Sequence, residues 1–290
     1  TPADTLRGKI QELGEAAWRL RKPSRRPLHR EFIRSMRRYP FRLAMADQNR
    51  PHVSALQALI GSIVLAKTLR PYWKDQQRVG VLLPPTVAGA LVNVAAPICG
   101  KTIVNLNYTV GKSGLEAAVN LAGLRTIVTS HMFIEKAKLE LPDGPSVIWL
   151  EDVAKTITKG QKLQAALLAL FAPCRVIERV CGQTTPLTPD SLATIIFSSG
   201  STGEPKGVML SHFSVDANTQ GATQVLHLYH DERVLGILPF FHSFGYMVFW
   251  LVMFNNAAMI FHPSPLDVVA IGELIRKYRV TFLVTTPTFL

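Results

Sequence analysis

Cysteine and charge are both scarce in this sequence. Its 290 residues include three cysteines, Cys99, Cys174 and Cys181, and none of them belongs to a C-x-x-C pair. This pattern excludes a disulfide framework and a zinc ribbon, and it favours a reducing compartment. Charged residues make up 18% of the chain, below the share of about 25% usual in globular domains, while 48% of the residues are hydrophobic. The composition therefore excludes a disordered tail and supplies a large apolar core.

Long hydrophobic runs are also missing. The apolar run from Phe244 to Phe254 is too short for a bilayer crossing, which needs about 20 residues. The N-terminus lacks the continuous apolar stretch of a secretory signal. We therefore expect neither a membrane span nor a signal peptide.

Positive charge is concentrated at the N-terminus. The segment from Thr1 to Arg42 holds twelve Lys or Arg and four Asp or Glu, so it carries +8 of the net charge of +12. Residues 1–27 are predicted to be a basic linker with an amphipathic helix, whose apolar side includes Leu6, Ile10 and Leu13. Two interpretations of this segment stay open: it contacts an anionic membrane, or it is a basic face exposed to solvent. It lacks interleaved aromatics and any reader motif, so no nucleic-acid partner is expected.

The rest of the chain alternates short apolar strands with helical patterns. This rhythm predicts an α/β fold with two mainly parallel sheets flanked by helices. The Thr- and Pro-rich stretch that begins at residue 182 divides it into a first α/β subdomain, 28–182, and a second, 183–290. Ser54 and Ser113 are predicted helix N-caps. The run from Lys159 to Pro173 is predicted to be an amphipathic helix, packed on the core or lying on a membrane.

One loop carries the clearest chemical signal. The run from Ser198 to Gly207 reads Ser-Ser-Gly-Ser-Thr-Gly-Glu-Pro-Lys-Gly and lies between two apolar strands. Glycines let the backbone approach a bulky anion, hydroxyl groups donate hydrogen bonds, and Lys206 adds a positive charge. The loop is not a Walker A motif, because Pro205 precedes the lysine and Gly207 follows it. These residues suit a polyphosphate.

The same run resembles the Ser/Thr/Gly-rich signature of the adenylate-forming superfamily, which includes acyl-CoA synthetases, luciferases and peptide synthetase adenylation domains. The following segment Val208–His212 resembles the strand and histidine that come after that signature. Further on, Leu238–Gly245 resembles the second signature of the superfamily, a Pro, aromatic, His segment. Residues 81–107 are similar to its first α/β subdomain, so the resemblance extends from about Pro27 onward. It implies that the chain is the N-terminal part of the large domain of such an enzyme.

The resemblance also implies a reaction. A carboxylate would attack the α-phosphate of ATP, with Mg²⁺ present, and the thiol of coenzyme A or acyl carrier protein would then displace AMP. Catalytic roles are implied for Lys206, Thr202 and His242, and a substrate pocket bordered by Phe241, His242 and Gly245. The ATP-binding residues implied are Ser198, Ser199, Gly200, Ser201, Thr202, Gly203 and Lys206.

Within the superfamily, the details resemble the acyl-acyl carrier protein synthetase part of bacterial bifunctional enzymes that reacylate lysophospholipids. This implies a fatty acid substrate and a cytoplasmic location at the inner face of the membrane. Adenylation of an aryl or amino acid, or a catalytically incomplete nucleotide-binding module, stays open as an alternative. The sequence stops before the acidic segment, the ribose-binding aspartate and the lysine-bearing C-terminal domain of the superfamily, so we expect this chain alone not to complete the reaction. His227 and His230 lack a third ligand for a metal site.

Overall fold

The computed structural model describes residues 2–199 and 205–286, and within them the strands form a six-stranded and a five-stranded sheet. The strands are β1 (Leu43–Ala46), β2 (Val53–Ser54), β3 (Arg78–Val81), β4 (Thr102–Asn105), β5 (Thr126–Thr129), β6 (Ser146–Trp149), β7 (Leu192–Ser199), β8 (Pro205–Ser211), β9 (Arg233–Gly236), β10 (Ala258–Phe261) and β11 (Phe282–Leu283). The helices are α1 (Pro2–Arg21), α2 (Leu28–Arg38), α3 (Ala55–Leu69), α4 (Val87–Ile98), α5 (Gly111–Ala122), α6 (His131–Ala137), α7 (Leu150–Thr156), α8 (Lys159–Phe171), α9 (Cys174–Val180), α10 (His212–Leu226), α11 (Ser243–Phe254) and α12 (Val268–Tyr278).

The six-stranded sheet has the order β6-β5-β3-β4-β7-β8. Its strands run parallel except for β8, which pairs antiparallel with β7. The five-stranded sheet has the order β11-β9-β10-β1-β2 and is parallel except for β2. Strands from both sides of residue 182 contribute to each sheet, and the division into subdomains at that point stays a prediction.

One apolar cluster joins the two sheets. Helix α4 packs against β3 and β4, α11 packs against β9 and β10, and α2 contacts both α4 and α11. Phe32 of α2 meets the Trp250 ring of α11 edge-on, with ring centroids 6.4 Å apart. Because α11 is buried along most of its length, it carries apolar residues around its whole circumference. The sheets are therefore held in a fixed relation by helices packed between them.

Two predicted helix features have different outcomes. The N-cap at Ser54 is confirmed, since its side chain accepts from the Gln57 amide and the Gln57 side chain accepts from the Ser54 amide. The N-cap at Ser113 is wrong, because α5 already begins at Gly111. Gly111 has a positive φ of 70°, a conformation that glycine adopts without strain. The helix can therefore begin two residues before Ser113. None of the described helices combines the length and the apolarity needed to cross a bilayer.

The N-terminal segment is attached to the rest of the molecule near residue 20. Trp18 packs edge-on against Phe213 with centroids 5.4 Å apart, and the Arg25 guanidinium forms two 2.6 Å hydrogen bonds with the Asp216 carboxylate. The apolar residues of the predicted amphipathic helix are exposed on α1, namely Leu6, Ile10, Leu13 and Leu20.

Candidate active site

The loop with the polyphosphate-like sequence lies at the turn of the β7–β8 hairpin. The strands pair with Ser198 opposite Lys206 and Ser199 opposite Pro205. Antiparallel pairing of this kind fixes the register, since a slip by one residue would turn every side chain to the other face. The hairpin thus holds the two ends of the loop in a defined relation.

Lys206 is exposed at the end of this hairpin. Within the part of the chain that the structure describes, its ammonium group has no hydrogen-bond or ion-pair partner. A side chain at Gly207 would be tightly placed against the opposite strand, since a Cβ there would lie 3.0 Å from Ile195 Cγ2 and 3.3 Å from Phe197 Cε1. The packing of Gly207 against β7 therefore fixes the backbone next to Lys206, while the lysine side chain is exposed.

The second predicted segment links β9 to α11. Phe241 is buried and its ring lies 4.5 Å from that of His242, centroid to centroid. His242 is the N-cap residue of α11 and is more exposed than Phe241, and partial burial lowers the pKa of its imidazole. The imidazole is thus neutral at pH 7 and can donate or accept a hydrogen bond.

Gly245 lets the first turn of α11 approach this segment closely. A Cβ at residue 245 would lie 2.2 Å from the Pro239 carbonyl oxygen and 2.9 Å from that of Leu238. Since real Cβ atoms do not come so near to backbone, only glycine fits here. The contact fixes the path of the chain just before Phe241 and His242.

Tyr108 joins this segment to the six-stranded sheet. Its ring meets that of Phe241 edge-on at 4.8 Å and that of Phe133 at 5.1 Å. Burial raises the pKa of its phenol, so the hydroxyl stays protonated. The sequence-based prediction did not include Tyr108, although the loop after the buried strand β4, in which it lies, is a position where ligand-contacting residues are common.

A pair of buried amides supports the loop that carries Tyr108. Asn93 of α4 donates to the Asn105 side chain at 3.1 Å, and Asn105 donates back to Asn93 at 2.8 Å. Reciprocal bonds of this kind satisfy groups that would be costly to bury alone. They fix the end of β4 against the helix, and no local sequence pattern indicates the pairing because the partners are twelve residues apart.

Both predicted segments lie at one edge of the molecule. Strand β7 runs parallel to β4, with Thr194 opposite Ile103, so the hairpin leaves the sheet at the edge where β4 leads to Tyr108. Tyr108 in turn contacts Phe241. Ligands of open α/β sheets usually bind at the carboxyl ends of strands. The arrangement therefore defines a candidate active site between the two sheets.

The structure places the predicted site residues in three groups. Phe241, His242 and Gly245 lie together, whereas Ser198 and Lys206 lie on the hairpin with no described contact to them. Gly200, Ser201, Thr202 and Gly203 lie outside the described residues, as does the side chain of Ser199.

An apolar cavity of about 610 Å³ lies at the same edge. The loops after β1, β3, β5, β6 and β10 surround it, and none of the predicted site residues is among those that line it. Its wall includes Phe133, the residue that contacts Tyr108.

Within residues 2–199 and 205–286, no group of three or more His, Cys, Asp or Glu side chains is arranged so that it could hold a metal ion. His230 instead pairs with Asp231 at 3.7 Å and lies against the ring of Tyr39.

The chain belongs to the AMP-binding enzyme family, whose profile matches residues 34–290. It is similar to a 4-coumarate–CoA ligase of Pinus taeda, with 27% identity over 269 residues that cover 90% of this chain and 48% of the relative. It is also similar to a long-chain-fatty-acid–CoA ligase of Bacillus subtilis, with 28% identity over 188 residues that cover 58% of this chain and 34% of the relative. The chain spans about half the length of the relatives it matches over most of its own sequence.

Solved structures confirm the predicted fold class. O-succinylbenzoate coenzyme A synthetase from Bacillus subtilis, in complex with AMP, matches with a TM-score of 0.73 and 17% identity, over 91% of this chain and 62% of that one. The N-terminal subdomain of Klebsiella oxytoca NpsA, in complex with 3-hydroxybenzoyl-AMSN, matches with a TM-score of 0.71 and 18% identity, over 89% of this chain and 59% of that one.

Proposed function

We propose that the protein activates a fatty acid by AMP-forming chemistry. In the first step a carboxylate oxygen attacks the α-phosphorus of ATP, the new oxygen–phosphorus bond forms, and the bond to the β-phosphate breaks. Pyrophosphate leaves and an acyl adenylate remains. In the second step a thiol attacks the acyl carbon, loses its proton, and displaces AMP to give a thioester.

The observation that carries this proposal is the position of Lys206. It is an exposed cation at the end of the β7–β8 hairpin, opposite Ser198, with no partner among the described residues, in a segment whose sequence resembles the phosphate-binding signature of the superfamily. A fixed positive charge stabilises the charge that builds on phosphate oxygens during transfer. We assign contact with the β- and γ-phosphates to Lys206 and Thr202.

The remaining loop residues serve the same anion. Their backbone N–H and hydroxyl groups would surround the phosphate chain as a concave cradle. The residues assigned to this cradle are Ser198, Ser199, Gly200, Ser201 and Gly203.

We assign the meeting point of acid and nucleotide to the segment with Phe241 and His242. Burial lowers the pKa of His242, so its imidazole is neutral. It would offer the incoming carboxylate a hydrogen bond rather than an ion pair. Phe241 is held by Tyr108 on one side and His242 on the other, and it forms an apolar wall. Gly245 fixes the position of this wall, because it allows α11 to pack closely against the Pro239 carbonyl.

Two carboxylate classes compete for this role. Similarity to a long-chain-fatty-acid–CoA ligase of Bacillus subtilis supports a fatty acid, as does the resemblance to acyl-acyl carrier protein synthetases. Similarity to a 4-coumarate–CoA ligase of Pinus taeda, over a larger share of the chain, favours an aryl acid as the second candidate.

The partners follow from the same proposal. The acceptor thiol is that of coenzyme A or acyl carrier protein, and Mg²⁺ is expected to enter bound to ATP, since the described residues offer it no cluster of their own. A fatty acid partitions into lipid, so we also propose peripheral contact with an anionic membrane at the cytoplasmic face.

Carboxylate-dependent exchange of pyrophosphate into ATP tests the substrate class. The intact protein is assayed with saturated fatty acids of increasing chain length, with 4-coumarate and with a set of amino acids. We expect exchange with fatty acids to exceed exchange with the other acids by ten-fold or more in kcat/KM.

Exchange with 4-coumarate and with no fatty acid would show that the substrate is an aryl acid, the second candidate. No exchange with any acid would contradict the proposed activity and leave a nucleotide-binding module. Binding of ATP alone, measured by calorimetry, separates this last outcome from a misfolded protein.

A further inference from the structure

Helix α8 is packed against the molecule with its small residues inward and its large apolar residues outward. Ala165 and Ala169 are fully buried, and α8 packs against α3. On the opposite side Leu163 is 64% exposed, Leu167 52%, Leu170 48% and Phe171 78%. Helices of globular proteins usually show the reverse pattern, with the large apolar residues in the core.

The attachment of α8 is firm. Arg37 of α2 donates to the carbonyl oxygens of Leu168, Ala169 and Ala172 at distances of 3.0, 2.7 and 2.6 Å, so the last carbonyls of the helix have a charged partner. Thr158 and Gln161 form a capping box at the other end. With both ends fixed, the helix cannot rotate to bury its leucines, and their exposure belongs to the folded molecule.

The surroundings of this apolar ridge are basic. Lys159 and Lys162 lie at the start of α8, and Arg175 and Arg179 lie on α9, beside the half-exposed Val176. None of the four cations has an ion-pair or hydrogen-bond partner among the residues that the structure describes.

Acidic charge is absent from the exposed part of this region. Between Asp152 and Asp190 the sequence has a single acid, Glu178. Its carboxylate is buried and takes hydrogen bonds from His29 at 2.9 Å and from Arg30 at 2.6 Å. The exposed charged residues of α8 and α9 are thus all cationic, and we call the surface formed by these two helices the α8–α9 face.

We propose that the α8–α9 face docks on the surface of an anionic lipid bilayer. This inference rests on the proposed membrane contact and assigns it to a surface. An amphipathic helix with apolar side chains at the acyl boundary and basic side chains at the headgroups is the usual form of interfacial attachment. The long Lys and Arg side chains reach the phosphates while the leucines and Phe171 enter the apolar layer.

A second copy of the chain fits this face less well. A symmetric dimer would bring the same patch together with itself, so the four cations of one subunit would face those of the other without an acid between them. Like charges opposed in this way are unfavourable. Anionic lipid provides the opposite charge together with an apolar interior.

Vesicle binding by the intact protein tests the inference. Co-sedimentation is measured with vesicles of phosphatidylcholine plus phosphatidylglycerol and with phosphatidylcholine alone. We expect binding to the anionic vesicles, and the double variant Leu167→Ser, Phe171→Ser is expected to lower the partition coefficient about ten-fold or more, because buried apolar side chains of this size contribute at least that factor. The variant Arg175→Gln, Arg179→Gln is expected to lose roughly five-fold per residue.

A matched control uses two apolar residues of similar exposure on other helices. Leu121 is 61% exposed on α5 and Val225 is 77% exposed on α10, and the variant Leu121→Ser, Val225→Ser is expected to bind vesicles like the unchanged protein. Circular dichroism and the thermal midpoint verify that each variant is folded.

Three results would overturn the inference. They are no binding of the unchanged protein to anionic vesicles, equal losses in the test and control variants, and a dimer that dissociates on Leu167→Ser, Phe171→Ser while vesicle binding stays the same. Pyrophosphate exchange measured without vesicles distinguishes a failure of the docking inference from a failure of the proposed function. All variants should keep exchange activity. A protein that binds vesicles but shows no exchange would contradict the proposed enzyme activity and leave the docking inference standing.

Discussion

At the scale of single residues, Gly245 shows how a position near the candidate site is set by backbone contact. Resemblance assigned this glycine to substrate binding, and the contact that the structure shows is with the Pro239 carbonyl. The sequence could identify the segment but not this contact, because the distance between α11 and the chain before it depends on the packing of both sheets. Tyr108 was missed for a related reason, since its contact with Phe241 joins residues far apart in sequence.

The variant Gly245→Ala is expected to lower the free energy of unfolding by about 2 to 3 kcal/mol, because the new methyl group would overlap backbone atoms that cannot move away independently. Chemical denaturation of the purified protein measures this change.

Gly221 of α10 provides the control, since a Cβ there meets nothing within 4 Å. The variant Gly221→Ala should raise the free energy of unfolding by about 0.5 to 1 kcal/mol through helix propensity. If Gly245→Ala were as well tolerated as Gly221→Ala, the close approach of α11 would not constrain the site.

At the scale of elements, a buried polar junction ties α2 to α9 and α10. His29 of α2 bonds to Glu178 of α9, and the Leu28 amide donates to His212 Nδ1 of α10 at 3.3 Å. Burial lowers the pKa of His29 and lowers that of His212 to about 3. Burial alone would raise the pKa of Glu178, but hydrogen bonds from His29 and Arg30 hold it at about 2.

This junction predicts a loss of stability in acid. In the unfolded chain histidine takes up a proton near pH 6.5, whereas the buried imidazoles resist it, so the unfolded state binds more protons. The free energy of unfolding should therefore fall as the pH is lowered from about 6.5 towards 3, and Glu178 adds to the loss below about pH 4.5. Denaturant unfolding at a series of pH values measures the slope.

The variant His212→Asn keeps an acceptor for the Leu28 amide and removes one titrating group, so its slope in this range should be smaller by about 1.4 kcal/mol per pH unit. The variant His52→Asn, at an exposed histidine, is measured alongside as the control for the substitution itself. Equal slopes in all three proteins would show that His212 is not held neutral by the fold.

Helices could be predicted from the sequence where capping residues and periodicity determine their ends. The N-cap at Ser54 and the helix starting at Lys159 follow from capping residues and helical periodicity. The helix ends at Phe171 rather than Pro173, because the residue before a proline is driven into extended backbone, as at Ala172 with ψ of 137°. Which face of α8 is buried could not be predicted, since periodicity favours leucines inward and the packing against α3 selects alanines.

At the scale of the whole molecule, the sequence predicts two parallel sheets but not which strands belong to each. Strands β1 and β2 come early in the chain and complete the sheet of β9, β10 and β11. The carboxyl ends of strands from both sheets meet at one edge, where Asp47 after β1 accepts from the Val87 amide at the start of α4 at 2.9 Å. Such long-range pairing leaves no local trace in the sequence, and it is what brings Tyr108 to Phe241.

We propose that Lys206 holds the phosphates of ATP during adenylate formation. Pyrophosphate exchange by the intact protein is compared for the unchanged chain, for Lys206→Ala and for Lys74→Ala, an exposed lysine of the same charge outside the candidate site. We predict a fall of about a hundred-fold or more for Lys206→Ala, with unchanged thermal stability, and full activity for Lys74→Ala. Full exchange activity in a folded Lys206→Ala protein would contradict this role of the lysine.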